Sequence, residues 1–286
     1  MNDKEFLYKV GKYGFFQSLQ AIYMAKEYAK ELGMNNLIVD SSSFAYSFDK
    51  GIKDYYTIDD DYIKLLELDI TKRKTRVDLK NLGSLHHITS DLTAELIKFK
   101  DYLNKIKFSY LVTKFNLDKL IEWNLDFNNL VSIHYRGQDK HLESKRLSAK
   151  DYKLSSNFDY YISTDDPNCI DDFNNTYPNI KFYYNQDNFN YIRTGDKFVY
   201  SDLDLRKMHT LNMLLDVYVC SNSKIHIGDS SSLVDIFLFN YRKNTTYDVR
   251  SDDIRLKFLK LRFNCVDGVS LPSDYPKMIT DNILNQ

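Results

Sequence analysis

From Leu130 onward, short β-rich runs alternate with segments of helical length, and few folds accept that pattern. Leu130–His134, Tyr160–Ser163, Ile180–Tyr184 and Lys224–Gly228 read as strands. Helices are expected from Pro167 to about Thr176, from about Leu205 to Ser221, and from Leu233 to Asn240. Strands separated by helices pair in parallel, because a parallel crossover needs a dozen or more residues and usually contains a helix. The pattern therefore predicts an α/β fold with a parallel sheet. In such sheets ligands bind outside the carboxyl ends of the strands. The residues that follow each strand are thus the first place to look for chemistry.

The first half begins in a related way. Phe6–Val10 reads as a strand, Gly11 and Gly14 permit a tight turn, and a helix is expected over Phe15–Leu32. Its apolar positions Phe15, Leu19, Ile22, Ala25, Ala29 and Leu32 recur at helical spacing, and Gly33 follows as a C-terminal stop. Leu37–Val39 is the next strand, ending at Asp40. Asp59–Leu68 and Thr89–Ile106 look helical, the second with Ser90 or Asp91 as cap. Leu117–Trp123 is expected to form a short helix or linker, and Pro276–Leu284 a closing helix. The expected division is an N-terminal domain over residues 1–125 and a C-terminal domain over residues 126–286, with the final helix able to pack back on the first.

The formal net charge of −1 gives no general pull toward nucleic acid or an anionic membrane. Cys169, Cys220 and Cys265 are odd in number and widely spaced, so they read as reduced and structural. His86-His87 reads as a surface pair without a third ligand nearby. No metal site or cofactor is expected. No signal peptide or transmembrane segment is visible, and a cytoplasmic protein is expected.

Three clusters follow strands, and one further carboxylate lies in the helix before a strand. His134, Arg136, Asp139 and Lys140 crowd the end of the Leu130–His134 strand. The planar guanidinium fork of Arg136 suits phosphate. Asp165-Asp166 precedes Pro167, which fits a helix cap better than a metal pair. Gly228-Asp229-Ser230-Ser231-Ser232 joins a strand to a helix, where backbone N–H groups, hydroxyls and the helix dipole can meet an anion. Asp216 lies in the apolar stretch Leu214–Val219 and needs a partner or an exposed face. Together these favour a nucleotide or nucleotide-sugar site at the sheet's carboxyl edge.

Three blocks in this half resemble the GDP-fucosyltransferases of the α1,6 and nodulation type, to which protein O-fucosyltransferases are related. His134-Tyr135-Arg136-Gly137-Gln138-Asp139-Lys140 resembles the family's H-x-R-R-T-D-K motif. The block from Tyr161 to Pro167, continued at Tyr177-Pro178-Asn179, resembles Y-L-A-T-D-D-P…Y-P-N. Leu215-Asp216-Val217 followed by Ser231-Ser232 resembles L-D-I…S-S. The segment from Gly11 to Leu32 is loosely similar to the superfamily's G-x-G-N-Q helix, without the Asn.

The resemblance implies a GT-B-like fold with two Rossmann-type domains. It implies an inverting, metal-independent glycosyltransferase that moves L-fucose from GDP-fucose to a glycan or lipid-linked glycan. Arg136 would hold the β-phosphate, Ser231 and Ser232 would assist there, and His134 and Asp216 would contact guanine. Lys140 would join the nucleotide-sugar contacts, and Asp165 and Asp166 would support the site. The family's second arginine is Gly137 here, and its proposed base falls on Ser144. Glu143 or Asp139 is then the candidate base. Another nucleotide-sugar, or a nucleotide- or glycan-binding protein without catalysis, are the alternatives.

Overall fold

The computed structural model describes residues 5–11, 14–66, 91–136, 147–190, 202–266 and 269–280. In the first half, β1 (Glu5–Lys9), β2 (Asn36–Asp40) and β4 (Ile63–Leu65) form a three-stranded parallel sheet in the order β1-β2-β4. The intervening β3 (Tyr56–Ile58) pairs antiparallel with β5 (Ile106–Phe108). Between β1 and β2 runs α1 (Phe15–Glu31), whose chain reverses through Gly33 at φ +66°. That left-handed conformation favours glycine, as a helix C-terminal stop requires. α2 (Leu92–Leu103) is capped by Asp91, whose side chain accepts from the Ala94 amide. Ser90 lies outside the described residues.

Two expected helices are corrected. Asp59–Leu68 is not helical where it is described: it holds a turn and then β4. The reason lies in Asp60, whose carboxylate accepts from the Tyr62 amide and from Lys26 and Lys105 at 2.8 and 3.0 Å. A carboxylate bonding its own backbone two residues on makes a turn rather than a helix. Burial works against its charge, but the two ammonium groups win and hold Asp60 down at about 2. In the described part of Pro276–Leu284, Lys277–Met278 instead forms β11, an added edge strand, and the Ile279 amide donates to the Asp248 carbonyl; residues 281–284 lie outside the described residues.

α3 (Tyr110–Trp123) begins earlier than expected because Ser109 caps it, and Asn124 ends it in the left-handed conformation. The second half then follows the predicted alternation: β6 (Leu130–His134), β7 (Asp159–Ser163), α4 (Pro167–Thr176), β8 (Phe182–Tyr184), α5 (Leu203–Asn222), β9 (Ile225–Gly228), α6 (Leu233–Tyr241), β10 (Thr245–Asp248) and α7 (Asp252–Phe263). With β11 these strands make one parallel sheet of order β11-β10-β9-β6-β7-β8. Numbered from β6, that is 6-5-4-1-2-3, the doubly wound order whose direction reverses between the first and fourth strands. The reversal puts a crevice between the carboxyl ends of β6 and β9.

α6 is apolar on nearly every side, as a helix buried on all faces must be. It packs on α5 and also on α1 and α2 of the first half, with the Phe16 and Phe237 rings 4.8 Å apart. One apolar cluster accordingly runs from Phe6 through Phe237 to Tyr275. The N-terminus of α6 faces the crevice, and its body anchors in both halves. Among the described residues no helix is long and apolar enough to cross a membrane.

Candidate functional site

β6 is buried along its whole length except at His134, so the strand delivers His134, Tyr135 and Arg136 to the crevice. From the other side β9 delivers Gly228 and the turn that opens α6. Arg136 Nη1 donates to the Ser231 carbonyl at 2.6 Å and meets Ser231 Oγ at 3.1 Å. Ser232 is the cap of α6, accepting from the Val234 amide. The turn is held in shape by Asp229, which accepts from the Ser231 amide and takes a two-point bond from Arg250. Nε reaches Oδ1 at 2.9 Å and Nη2 reaches Oδ2 at 2.6 Å. Two segments 95 residues apart thus converge, and they bring a guanidinium and hydroxyls to the positive end of a helix.

Below this mouth lies a second carboxylate centre. Asp235, fully buried in the first turn of α6, bonds His134 Nδ1 at 2.6 Å, His226 Nε2 at 3.0 Å and the Asp229 amide at 2.9 Å. Burial opposes a charge on each of these side chains. For His134 the neighbouring Asp235 overcomes that and raises its pKa, and for Asp235 the reciprocal attraction lowers its own. Burial prevails at His226, which is pushed down to about 4.

Asp216, 4% exposed on α5, has the partners its apolar stretch demanded. Tyr161 hydroxyl donates to Oδ1 at 2.7 Å and Asn188 Nδ2 to Oδ2 at 2.9 Å. Burial nevertheless pushes its pKa up to about 7. Its folded pKa lies above the unfolded value of 3.8, so its contribution to stability is fully present below that value and is lost as pH rises to about 7. We expect Asp216→Asn to flatten the fall in urea midpoint between pH 5 and pH 8. An unchanged slope would contradict the burial account. Asp166 caps α4, accepting from the Asn168 amide at 3.0 Å, and Asp165 lies within electrostatic reach of His134. No group of three or more His, Cys, Asp or Glu able to hold a metal occurs among the described residues. Asp139, Lys140 and Glu143 lie outside the described residues, as do Gly137, Ser144 and the His86-His87 pair.

No protein-family model matches the sequence, and no curated protein matches it. Solved structures do. The crystal structure of NodZ alpha-1,6-fucosyltransferase soaked with GDP-fucose is similar at a TM-score of 0.53, with 12% identity, over 84% of this chain and 93% of that one. NodZ co-crystallized with GDP gives a TM-score of 0.55 at 11% identity, over 87% of this chain and 96% of that one. Fucosyltransferase NodZ from Bradyrhizobium gives the same TM-score and identity. The chain has the NodZ fold. The α/β, GT-B-like architecture expected from the sequence is therefore present.

Within that NodZ-like fold, three buried residues stand at the site that the sequence reading did not single out: His226, Asp235 and Arg250. A signal existed for two of them. Asp235 is the one carboxylate in the apolar run Leu233–Phe239, and His226 interrupts a buried strand between Ile225 and Ile227. Such groups need partners, and they find each other. Gly228 makes room for them. A Cβ there would lie 2.4 Å from Asp235 Oδ1 and 2.9 Å from Phe239 Cε1. Gly228→Ala is expected to lower stability by about 2 kcal/mol through overpacking, read as a reduced urea midpoint. A wild-type midpoint would show that Asp235 is not fixed where it stands.

Proposed function

We propose that the protein is an inverting, metal-independent glycosyltransferase that moves L-fucose from GDP-fucose to a hydroxyl of a glycan or lipid-linked glycan. The observation that carries the reading is the contact of Arg136 with Ser231 at the strand-order reversal of a NodZ-like sheet. A guanidinium beside a capped helix N-terminus is suited to a diphosphate. The NodZ structures with GDP-fucose and GDP point to the same class of donor.

In this reading the donor lies on residues 126–286 and the acceptor is gripped mainly by residues 1–125. Arg136, with Ser231 and Ser232, holds the β-phosphate, and Lys140 joins them. The acceptor oxygen attacks the anomeric carbon from the face opposite the diphosphate. The new C–O bond forms as the bond to the phosphate oxygen breaks, and the electron pair leaves with GDP. The charge growing on that oxygen meets Arg136, so the interaction is strongest in the transition state. The acceptor proton passes to Asp139 or Glu143. Asp216, bonded by Tyr161, Asn188 and Ser163, uses its remaining acceptor capacity on the donor edge of guanine, and His134 contacts the nucleotide beside it. Asp165 and Asp166 shape the turn that borders the site.

The test is turnover of GDP-fucose against GDP-mannose and UDP-galactose in EDTA, across a glycan acceptor panel. The product's anomeric configuration is read by NMR. Transfer from GDP-fucose with inversion is expected. Preference for a UDP-sugar, or loss of activity in EDTA, would overturn the assignment.

A further inference from the structure

We propose that Asp235 and His226 are positioning residues that hold His134 as a cation facing the nucleotide, at the end of a series of hydrogen bonds that reaches back to Arg242. The inference rests on the proposed nucleotide site for its functional consequence, though not for its geometry.

The chain crosses four elements. Arg242 Nη1 donates to Ser223 Oγ at 2.9 Å, and Ser223 Oγ stands 2.7 Å from Ser132 Oγ. Ser132 Oγ reaches His226 Nδ1 at 2.9 Å, and His226 Nε2 reaches Asp235 Oδ1 at 3.0 Å. Asp235 Oδ2 and His134 Nδ1 close the series at 2.6 Å. Its direction is set from the Asp235 end, while the single Ser223 proton can also go to the Ile225 or Cys220 carbonyl, at 2.9 and 3.1 Å. A guanidinium only donates, so Ser223 accepts from Arg242. At the other end Asp235 accepts three N–H groups, from His226, His134 and the Asp229 backbone. A carboxylate with three such donors stays ionised. His226, fully buried, is neutral, so its single ring proton must sit on Nε2 to serve Asp235. Nδ1 is then an acceptor, and Ser132 must donate to it.

Charge balance decides the state of His134. A buried carboxylate needs a cation close by. His226 cannot supply it, and Arg242 stands at the far end of the chain. His134 is the group left in contact, and it alone of the three keeps access to solvent, at 13% against 0% for Asp235 and His226. The other groups around it agree on balance. Asp165 after β7, Asp229 after β9 and Asp216 on α5 are acidic. Arg136 two residues on is basic, and the Tyr152 hydroxyl donates to the His134 carbonyl at 3.3 Å. With Nδ1–H committed to Asp235, Nε2–H of the imidazolium becomes a charged donor for an acceptor atom of the bound nucleoside diphosphate.

The device makes GDP affinity fall as pH rises through the titration of His134. Asp216, which must be ionised to accept from guanine, shapes the acid side of the same profile. The experiment pairs two measurements on the full chain. Imidazole NMR without nucleotide reads the His134 midpoint, and calorimetry with GDP reads affinity from pH 5.5 to pH 8.5, in wild type, Asp235→Asn and Ser132→Ala. We expect a His134 midpoint above the ordinary 6.5 and an affinity loss of about tenfold across it, the scale of one charge-assisted hydrogen bond. Asp235→Asn should lower the midpoint and remove the alkaline fall. Ser132→Ala, a milder change that frees the His226 tautomer, should lower the midpoint by a smaller amount. A wild-type midpoint at or below the ordinary value would overturn the proposal, as would midpoints unmoved in both variants. If GDP binds at no pH while the midpoints still separate, the chain stands and the nucleotide reading fails.

Discussion

Arg136→Ala is expected to weaken GDP binding by about a hundredfold, roughly 3 kcal/mol, with little change in the unfolding midpoint. The size follows from what is removed: a planar cation whose paired N–H groups match phosphate oxygens, and whose loss leaves a diphosphate facing a helix N-terminus alone. The stability effect is small because Arg136 is only half-buried at the crevice mouth. Its bonds to the carbonyl and hydroxyl of Ser231 are contacts at the crevice rather than in either apolar core. Arg136→Lys keeps the charge and loses the fork, so an intermediate loss of about tenfold is expected. In a transfer assay the alanine variant should lose more in kcat than binding alone accounts for, because negative charge on the leaving phosphate grows toward the transition state. Equal GDP affinity in wild type and variant would place the diphosphate elsewhere.

Arg242→Met should cost about 3 kcal/mol of stability, the largest effect expected of any single change away from the crevice mouth. Arg242 is 5% exposed. Its guanidinium serves the Cys220 carbonyl, the Ser223 hydroxyl and carbonyl at 2.9 Å each, and the Thr245 carbonyl at 3.1 Å. Three of these acceptors belong to the C-terminal end of α5, where carbonyls lack intrahelical partners and the helix dipole favours a cation. Burial pushes the guanidinium down to about 10, so it is still charged at neutral pH. Methionine fills the space and removes the charged donor from each, leaving the Cys220 carbonyl to the Ser223 hydroxyl and the Ser223 carbonyl to the Asn244 amide, at 3.1 Å each. A urea midpoint shift equivalent to less than about 1 kcal/mol would show that water replaces the guanidinium. The same variant frees Ser223 at the head of the chain that reaches His134.

The second half was legible because its signals are local and agree with one another. β6 is an unbroken buried run, Pro167 marks the first turn of α4 with Asp166 as its cap, and Ser232 marks α6. Arg136, Ser231 and Ser232 could be picked from the sequence because they follow strands, where an open parallel sheet places its ligands. What failed depended on contacts distant in sequence. Residues 59–66 carry a helical spacing of apolar positions, yet Lys26 and Lys105, 34 and 45 residues from Asp60, fix a turn. β10 reads as polar, Thr245-Thr246-Tyr247-Asp248, and becomes a strand between β9 and β11. The start of α3 was hidden because its apolar residues do not keep to one buried stripe: Tyr110 and Ile121 are each 80% exposed. His226 and Asp235 sit inside elements rather than after them. Their role shows only when α6 lays Asp235 against His134, 101 residues away.

The central claim is a guanine-nucleotide diphosphate site at the crevice between β6 and β9. The most direct measurement is calorimetric titration of the full chain with GDP, UDP, ADP and CMP, each with and without EDTA. The account predicts binding of GDP alone, unchanged by EDTA. Preference for UDP, a requirement for a divalent cation, or no binding of any of the four would contradict it.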